Sequence, residues 1–205
     1  MGLRNAKKAK VRDDILKAAR KLFFTQGYRP ATMEAIAEMA GVAVGTVYNY
    51  FESKSAVLLA VTAKDTAAAL SGSSGLPDRA SGLEMLRSYL GTFMESLSTY
   101  PEELLSELVR KTFGAAGVPS RSGTPNDSST LVQGLESLIG RMAREGKLRK
   151  DLDGTAGSML VYGIVMTTLM KYAQDRGMTP DRMMDWLDEM LETAYTGLGP
   201  KGGIS

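Results

Sequence analysis

The chain has no histidine and no cysteine in 205 residues. Without cysteine there is no disulfide framework, no thiolate metal site and no thiol switch. Without histidine the commonest general base and commonest metal ligand are missing, and so is the usual side chain that titrates near neutral pH. The longest apolar stretch, Met159 to Met170, is too short and too interrupted by Gly and Thr to span a bilayer. The first ten residues, MGLRNAKKAK, are basic but lead into no apolar signal-peptide core. A cytoplasmic protein with no membrane partner is expected. No G-x-S-x-G, S-x-x-K or P-loop pattern occurs. Gly197, Gly199 and Gly202 have G-x-G-x-x-G spacing, but they follow a helical pattern where the dinucleotide fingerprint needs a strand. Asp151 and Asp153 lack the further acids of a calcium loop and read as a turn and helix start. Asp181, Asp185 and Asp188 read as a solvated helix face. No catalytic residue, metal or cofactor is expected.

What is present is charge asymmetry and helical periodicity. The net charge is only +2, yet Met1 to Lys54 holds ten basic against five acidic residues, a net +5. The remainder holds fifteen against eighteen, a net −3. A basic head on a neutral to acidic body suits binding to nucleic acid. Hydrophobic residues make up 43% of the chain, enough for a real core.

Apolar residues recur at helical spacing along almost the whole chain. Val11, Ile15, Ala18, Ala19, Leu22 and Phe23 mark a first helix closed by Gly27, preceded by an aperiodic basic arm, Arg4 to Lys10. Ser53 caps a helix running to about Leu70, and residues 71–78 read as a turn. Leu83, Leu86, Leu90, Phe93, Met94 and Leu97 form the next stripe. Pro101 then opens a helix carrying Leu104, Leu105, Leu108, Val109 and Phe113. Residues 114–130 are rich in Gly, Ser and Pro and read as a loop. Leu131, Leu135, Leu138, Ile139 and Met142 mark another helix, ended by Gly146. Thr155 to Ala173 is apolar nearly all round, so one side can face the core and the other a second subunit. Met183, Leu187, Met190, Leu191 and Ala194 stripe the last helix. The expected fold is all-α with about nine helices: a head over residues 1–54, a helical body over 55–197 and a loose tail over 198–205.

The head carries the most specific signal. Residues 32–51 read TMEAIAEMAGVAVGTVYNYF. Thr32 is a good N-cap, and Glu34 sits at the positive end of the helix dipole. Ile36, Met39 and Ala40 share a face, and Gly41 follows where a helix stop wants a left-handed residue. Val42 and Ala43 fill a turn, and Val44 to Tyr50 starts a second helix. This is a helix-turn-helix, whose second helix lies in the DNA major groove. Val44, Gly45 and Thr46 are placed to reach base edges, with Val44 offering a methyl contact to thymine and Thr46 a hydroxyl. Asn49 suits a base or a phosphate. Val47, Tyr50 and Phe51 read as core of the head.

Thr32, Ile36-Ala37, Ala40-Gly41-Val42, Gly45-Thr46-Val47-Tyr48, Tyr50-Phe51 and Ser53-Lys54 resemble the signature of TetR-type (TetR/AcrR) transcriptional regulators. The resemblance covers Val11 to Leu59. Two positions depart from it: Ala43 stands where the family usually has a capping Ser, and Ser55 where an acid is common. The resemblance implies phosphate contacts from Tyr48 and Lys54. It also implies a homodimer on a double-stranded DNA operator, whose C-terminal helices bind a small-molecule effector and release the DNA. Large residues off the main stripes, Met85, Tyr89, Phe113, Tyr162 and Met166, are the candidate ligand lining. Gly163, Met183, Leu187, Met190 and Leu191 are the candidate dimer interface. The expectation is a ligand-responsive regulator, most simply a repressor. The alternatives are a DNA-binding or activating protein without an effector, and an enzyme carrying a DNA-binding head, which the missing His and Cys weigh against.

Overall fold

Ile15, Leu16, Ala18, Ala19, Leu22 and Phe23 are all buried along one side of α1 (Leu3–Gln26). The computed structural model describes residues 3–72, 79–113, 129–175 and 177–198. Eight further helices follow among these residues: α2 (Met33–Ala40), α3 (Val44–Tyr50), α4 (Lys54–Gly72), α5 (Gly82–Ser98), α6 (Glu102–Phe113), α7 (Ser129–Arg144), α8 (Gly154–Gln174) and α9 (Pro180–Leu198). The fold is all-α, and no described helix is long and apolar enough to cross a membrane. Most of the expected 71–78 turn, the 114–130 loop and the tail lies outside the described residues. Ser71 and Gly72 still belong to α4, and Ser129 and Thr130 to α7.

One boundary differs at the start. Arg4 to Lys10 was expected as an aperiodic arm, but it forms the first turns of α1. Ala6 and Ala9 and the straight-chain Lys and Arg are good helix formers. Extending a helix already nucleated by packing needs no apolar stripe.

The chain divides into two compact units, and the division is not at Lys54. The first unit takes α1, α2, α3, α4 as far as Asp65, and α6. Ile36, Val47, Val57 and Leu58 are fully buried in it, as is Leu104 of α6. A polar cluster holds the start of α6 in place. Arg20 Nε donates to Asp65 Oδ2 at 2.8 Å, and Tyr100 Oη donates to the same oxygen at 2.7 Å. The Phe24 ring lies edge-on to Tyr100, with centroids 4.9 Å apart, and the Arg20 guanidinium lies 4.4 Å from the Phe24 centroid. Burial, and next the bond to Asp65, hold the Tyr100 hydroxyl protonated far above the usual phenol range. Sequence periodicity marks α6 as amphipathic but carries no sign of which unit it joins.

The second unit contains the end of α4 from Thr66, with α5, α7, α8 and α9. The stripes of α5 and α7 are buried as expected, except that Leu83 is half-exposed and Met85 takes the interior place. Ser81 and Glu84 form a capping box at the start of α5. The Ser81 amide donates to Glu84 Oε2 at 2.6 Å, and the Glu84 amide to Ser81 Oγ at 3.2 Å. Asp153 caps α8 by accepting from the Ala156 amide at 2.7 Å, as its place before the apolar run suggests. Asp188 departs from the solvated face expected for it. Arg87 of α5 grips it with Nε and, at 2.7 Å, with Nη2. That bond holds the Asp188 carboxyl below its ordinary range.

The seam between α5 and α7 has almost no slack. A Cβ added at Gly134 would land on the Tyr89 hydroxyl and 2.8 Å from its Cζ. Gly134→Ala should therefore destabilise the protein by about 1–3 kcal/mol, the usual cost of overpacking, although alanine is the better helix former. Chemical denaturation would read this, and a variant as stable as the parent would show that Tyr89 swings clear at no cost.

Candidate DNA-binding interface

The helix-turn-helix is built from its caps inward. Thr32 has extended backbone, and its Oγ1 accepts from the Ala35 amide at 3.1 Å, which starts α2. Gly41 ends α2 with φ 68° and ψ 34°, the left-handed conformation that glycine adopts without steric penalty. Its amide reaches the Glu38 carbonyl at 3.1 Å, and the Val42 amide reaches Ala37 at 3.0 Å. That pair of bonds is the Schellman arrangement. Ala43 precedes α3 with extended backbone and no side-chain cap, as its replacement of a hydroxyl residue implies.

With no side-chain cap, α3 is held by packing. Val47 is fully buried and Phe51 nearly so. Tyr50, expected as core, is only half-buried, because its hydroxyl reaches out to donate to the Lys8 carbonyl at 3.2 Å. The opposite face of α3 is open: Val44, Gly45, Tyr48 and Asn49 are exposed, and Thr46 is half-buried. The structure thus brings the expected contact residues of α3 to one free surface. Thr32 is exposed too, with its hydroxyl occupied as a cap.

Lys54 is the exception. The sequence suggests an ammonium free to meet a phosphate. Instead Nζ donates to the carbonyls of Tyr28 at 2.7 Å, Arg29 at 3.1 Å and Ala31 at 2.7 Å. It also lies 4.4 Å from the centroid of the Tyr28 ring. An ammonium has three protons to donate, and all three are engaged within the chain. Burial lowers the Lys54 pKa from its ordinary value, against the pull of Glu107 and Glu103. Sequence pattern cannot show this, because the acceptors are backbone atoms more than twenty residues away.

The free cations lie elsewhere in the head. Lys10 pairs with Asp14, Lys17 and Lys64 with Asp13, and Arg20 with Asp65. Arg4, Lys7 and Lys8 are exposed and have no ion-pair partner among the described residues. They occupy the first turns of α1, where the helix dipole disfavours positive charge. The Tyr50 bond to Lys8 holds this basic end beside α3. No described group of three acidic residues could hold a metal ion.

Residues 15–61 match a family model described as bacterial regulatory proteins, tetR family. Residues 15–61 thus form a helix-turn-helix domain of the TetR-family type. The chain is 27% identical over 202 residues to the HTH-type transcriptional regulator TcmR of Streptomyces glaucescens, covering 98% of this chain and 88% of that one. It is 39% identical over 59 residues to the HTH-type transcriptional regulator UidR of Escherichia coli (strain K12), covering 29% of this chain and 30% of UidR. Its fold matches Thermus thermophilus FadR, a TetR-family transcriptional repressor solved in complex with lauroyl-CoA. That match has a TM-score of 0.75 and 22% identity, over 95% of this chain and 98% of FadR. Within the matched stretch, α3 is the second helix of the helix-turn-helix.

The body residues divide differently from the sequence expectation. Met183, Leu187 and Leu191 are at most 2% exposed within their own chain, so they have no surface left for a second subunit. Met190 is half-buried and Gly163 exposed, with nothing within 4 Å of a Cβ built there. The apolar surface that α8 and α9 leave open is instead Met159, Leu160 and Trp186, at 51%, 44% and 37% exposure. Lys171 of α8 lies 5.1 Å from the Trp186 ring, so the two open faces are neighbours. Among the candidate lining residues, Met85, Tyr162 and Met166 are buried and Tyr89 half-buried. The side chain of Phe113 lies outside the described residues. Burial raises the hydroxyl pKa of both Tyr89 and Tyr162, and neither hydroxyl has a hydrogen-bond partner among the described residues.

Gly45 isolates what the open face is for. It sits in the first turn of α3 with ordinary helical φ, and a Cβ there would meet nothing in the chain. Folding alone does not require glycine at this position. Gly45→Ala should leave stability unchanged or raise it by up to about 1 kcal/mol. The expected approach of Gly45 to base edges predicts that the added methyl weakens DNA binding. Unchanged affinity for a selected duplex would remove Gly45 from the interface.

Proposed function

We propose that the chain is a homodimeric repressor, released from a palindromic operator by an apolar or amphipathic small molecule bound in the second unit. The observation that carries this reading is the open face of α3: Val44, Gly45, Tyr48 and Asn49 exposed on a helix whose other side is buried. Val44, Gly45 and Thr46 read base edges, Tyr48 contacts phosphate, and Asn49 serves either role. Arg4, Lys7 and Lys8 supply the phosphate-neutralising charge that Lys54 cannot. The DNA itself provides the anion that the basic end of α1 lacks among the described residues.

The second subunit covers Met159, Leu160, Gly163, Trp186 and Met190. These residues put exposed apolar surface and a side-chain-free notch on adjoining helices. The effector occupies the helical body. Met85, Tyr162 and Met166 offer apolar lining, and the Tyr89 and Tyr162 hydroxyls, without a hydrogen-bond partner among the described residues, offer donors to a ligand acceptor. The matched Thermus FadR was solved with a fatty-acyl thioester, which has this chemistry and makes lauroyl-CoA the first ligand to try.

Selection of bound duplexes from a random pool should enrich a palindrome with half-sites about one helical turn, or a multiple, apart. Affinity for it should fall with salt at a slope of roughly −0.9 per phosphate contacted. An apolar effector should weaken binding to that duplex by the same factor by which the duplex weakens effector binding. No enriched palindrome would end the repressor reading. Full occupancy by effectors with no loss of DNA affinity would point to a regulator without a release signal.

Leu160→Asp tests the dimer. It places a charge on exposed α8 surface, so the subunit should stay folded but sediment as a monomer and lose operator binding. Leu187→Asp buries a charge in the subunit's own core and should unfold it. A Leu160→Asp dimer of parental affinity would place the interface elsewhere.

A further inference from the structure

Lys54 stands at the first residue of α4, and its three acceptors lie in the connector between α1 and α2. Gly27, with φ 88°, turns the chain out of α1, and Tyr28 to Ala31 lead directly to the Thr32 cap of α2. One ammonium therefore joins the backbone just before the helix-turn-helix to the chain just after it. Everything that faces DNA from α2 and α3 lies between those two points.

We propose that Lys54 is a positioning residue for operator recognition: it clasps the two ends of the helix-turn-helix together and contacts no phosphate. The inference rests on the DNA-binding reading above. Three carbonyls converge on one nitrogen from 2.7 to 3.1 Å, and the Tyr28 ring closes a further side. Turning Nζ toward a phosphate would strip three carbonyls of their donor and move the ammonium off the ring. Such a swap breaks charge-assisted bonds already made in order to form new ones. The neighbouring groups fix the same connector from α6. Glu103 approaches Arg29 at 3.8 Å, and its Oε2 would lie 3.0 Å from a Cβ at Gly27. Glu107 acts on both Tyr28 and Lys54. Loss of the clasp loosens the angle at which α2 and α3 are presented. That lowers affinity for the matched sequence and leaves general attraction to DNA intact.

The test compares Lys54→Met with the parent on two probes: the duplex recovered by selection, and a mixed-sequence duplex at low salt. Enrichment by the parent protein checks the DNA-binding reading, and the variant then checks the clasp. Binding is measured where circular dichroism shows the variant folded. The expected result is a loss of about 3- to 30-fold on the selected duplex, the range of mutations that act through a network. The slope of log affinity against log salt should stay as in the parent, with mixed-sequence binding unchanged. A slope shallower by about 0.9, with both duplexes weakened together, would make Lys54 a phosphate contact and overturn the proposal. A lower melting temperature with parental affinity would make it structural only, and would overturn it equally. If Lys54→Met does not fold, Lys54→Arg takes its place. Arginine keeps the charge a phosphate needs, but its planar fork cannot converge three donors from one nitrogen. Weaker selective binding at an unchanged slope is expected, and parental affinity in Lys54→Arg would defeat the clasp.

Discussion

Two amides at Gly41 and Val42 fold back onto the carbonyls of Glu38 and Ala37, and both reach only because the backbone at Gly41 is left-handed. That reversal sets the direction in which α3 leaves α2. A residue with a Cβ pays roughly 1–2 kcal/mol in that conformation. The orientation of the recognition helix thus depends on a position where one residue type fits without strain. Everything the head presents to DNA follows from this angle.

The recognition helix itself is weak by local standards. Seven residues are too few to hold a helix in water, Ala43 gives no side-chain cap, and Gly45 disfavours the helical state. Its order comes from Val47 and Phe51, which fix the inner face against the rest of the head. The outer face is left with no structural duty. Residues there can vary for recognition without cost to folding, because stability is lodged on the other side.

Much of this was legible in the sequence. The helix stripes, the Thr32 cap, the Gly41 stop and the start of α3 at Val44 all rest on local spacing and backbone preference, which a sequence displays directly. The features that local pattern does not display each depend on a distant partner. Lys54 looks like a free cation until the Tyr28–Ala31 carbonyls are placed around it. Asp188 looks solvated until Arg87, a hundred residues earlier, grips it. Met183, Leu187 and Leu191 were rightly read as one apolar stripe, but periodicity cannot tell a face turned to its own chain from one turned to another. Nor could the stripe of α6 show that this helix belongs with the head, since the tie runs through Tyr100 and Asp65. The capping box at Ser81 and Glu84 does have a local signature, a Ser followed three residues later by Glu ahead of an apolar stripe.

The fit of Tyr89 over Gly134 has a consequence for how the body drifts over generations. The hydroxyl fills the volume that any side chain at 134 would need, so neither site is free to change alone. Enlarging 134 first meets a clash, while shrinking 89 first opens a void beside a bare helix backbone. The accessible route passes through the smaller loss and is completed by the second change. The two positions therefore behave as a single heritable character, whose states are a large residue facing glycine or a smaller one facing a side chain.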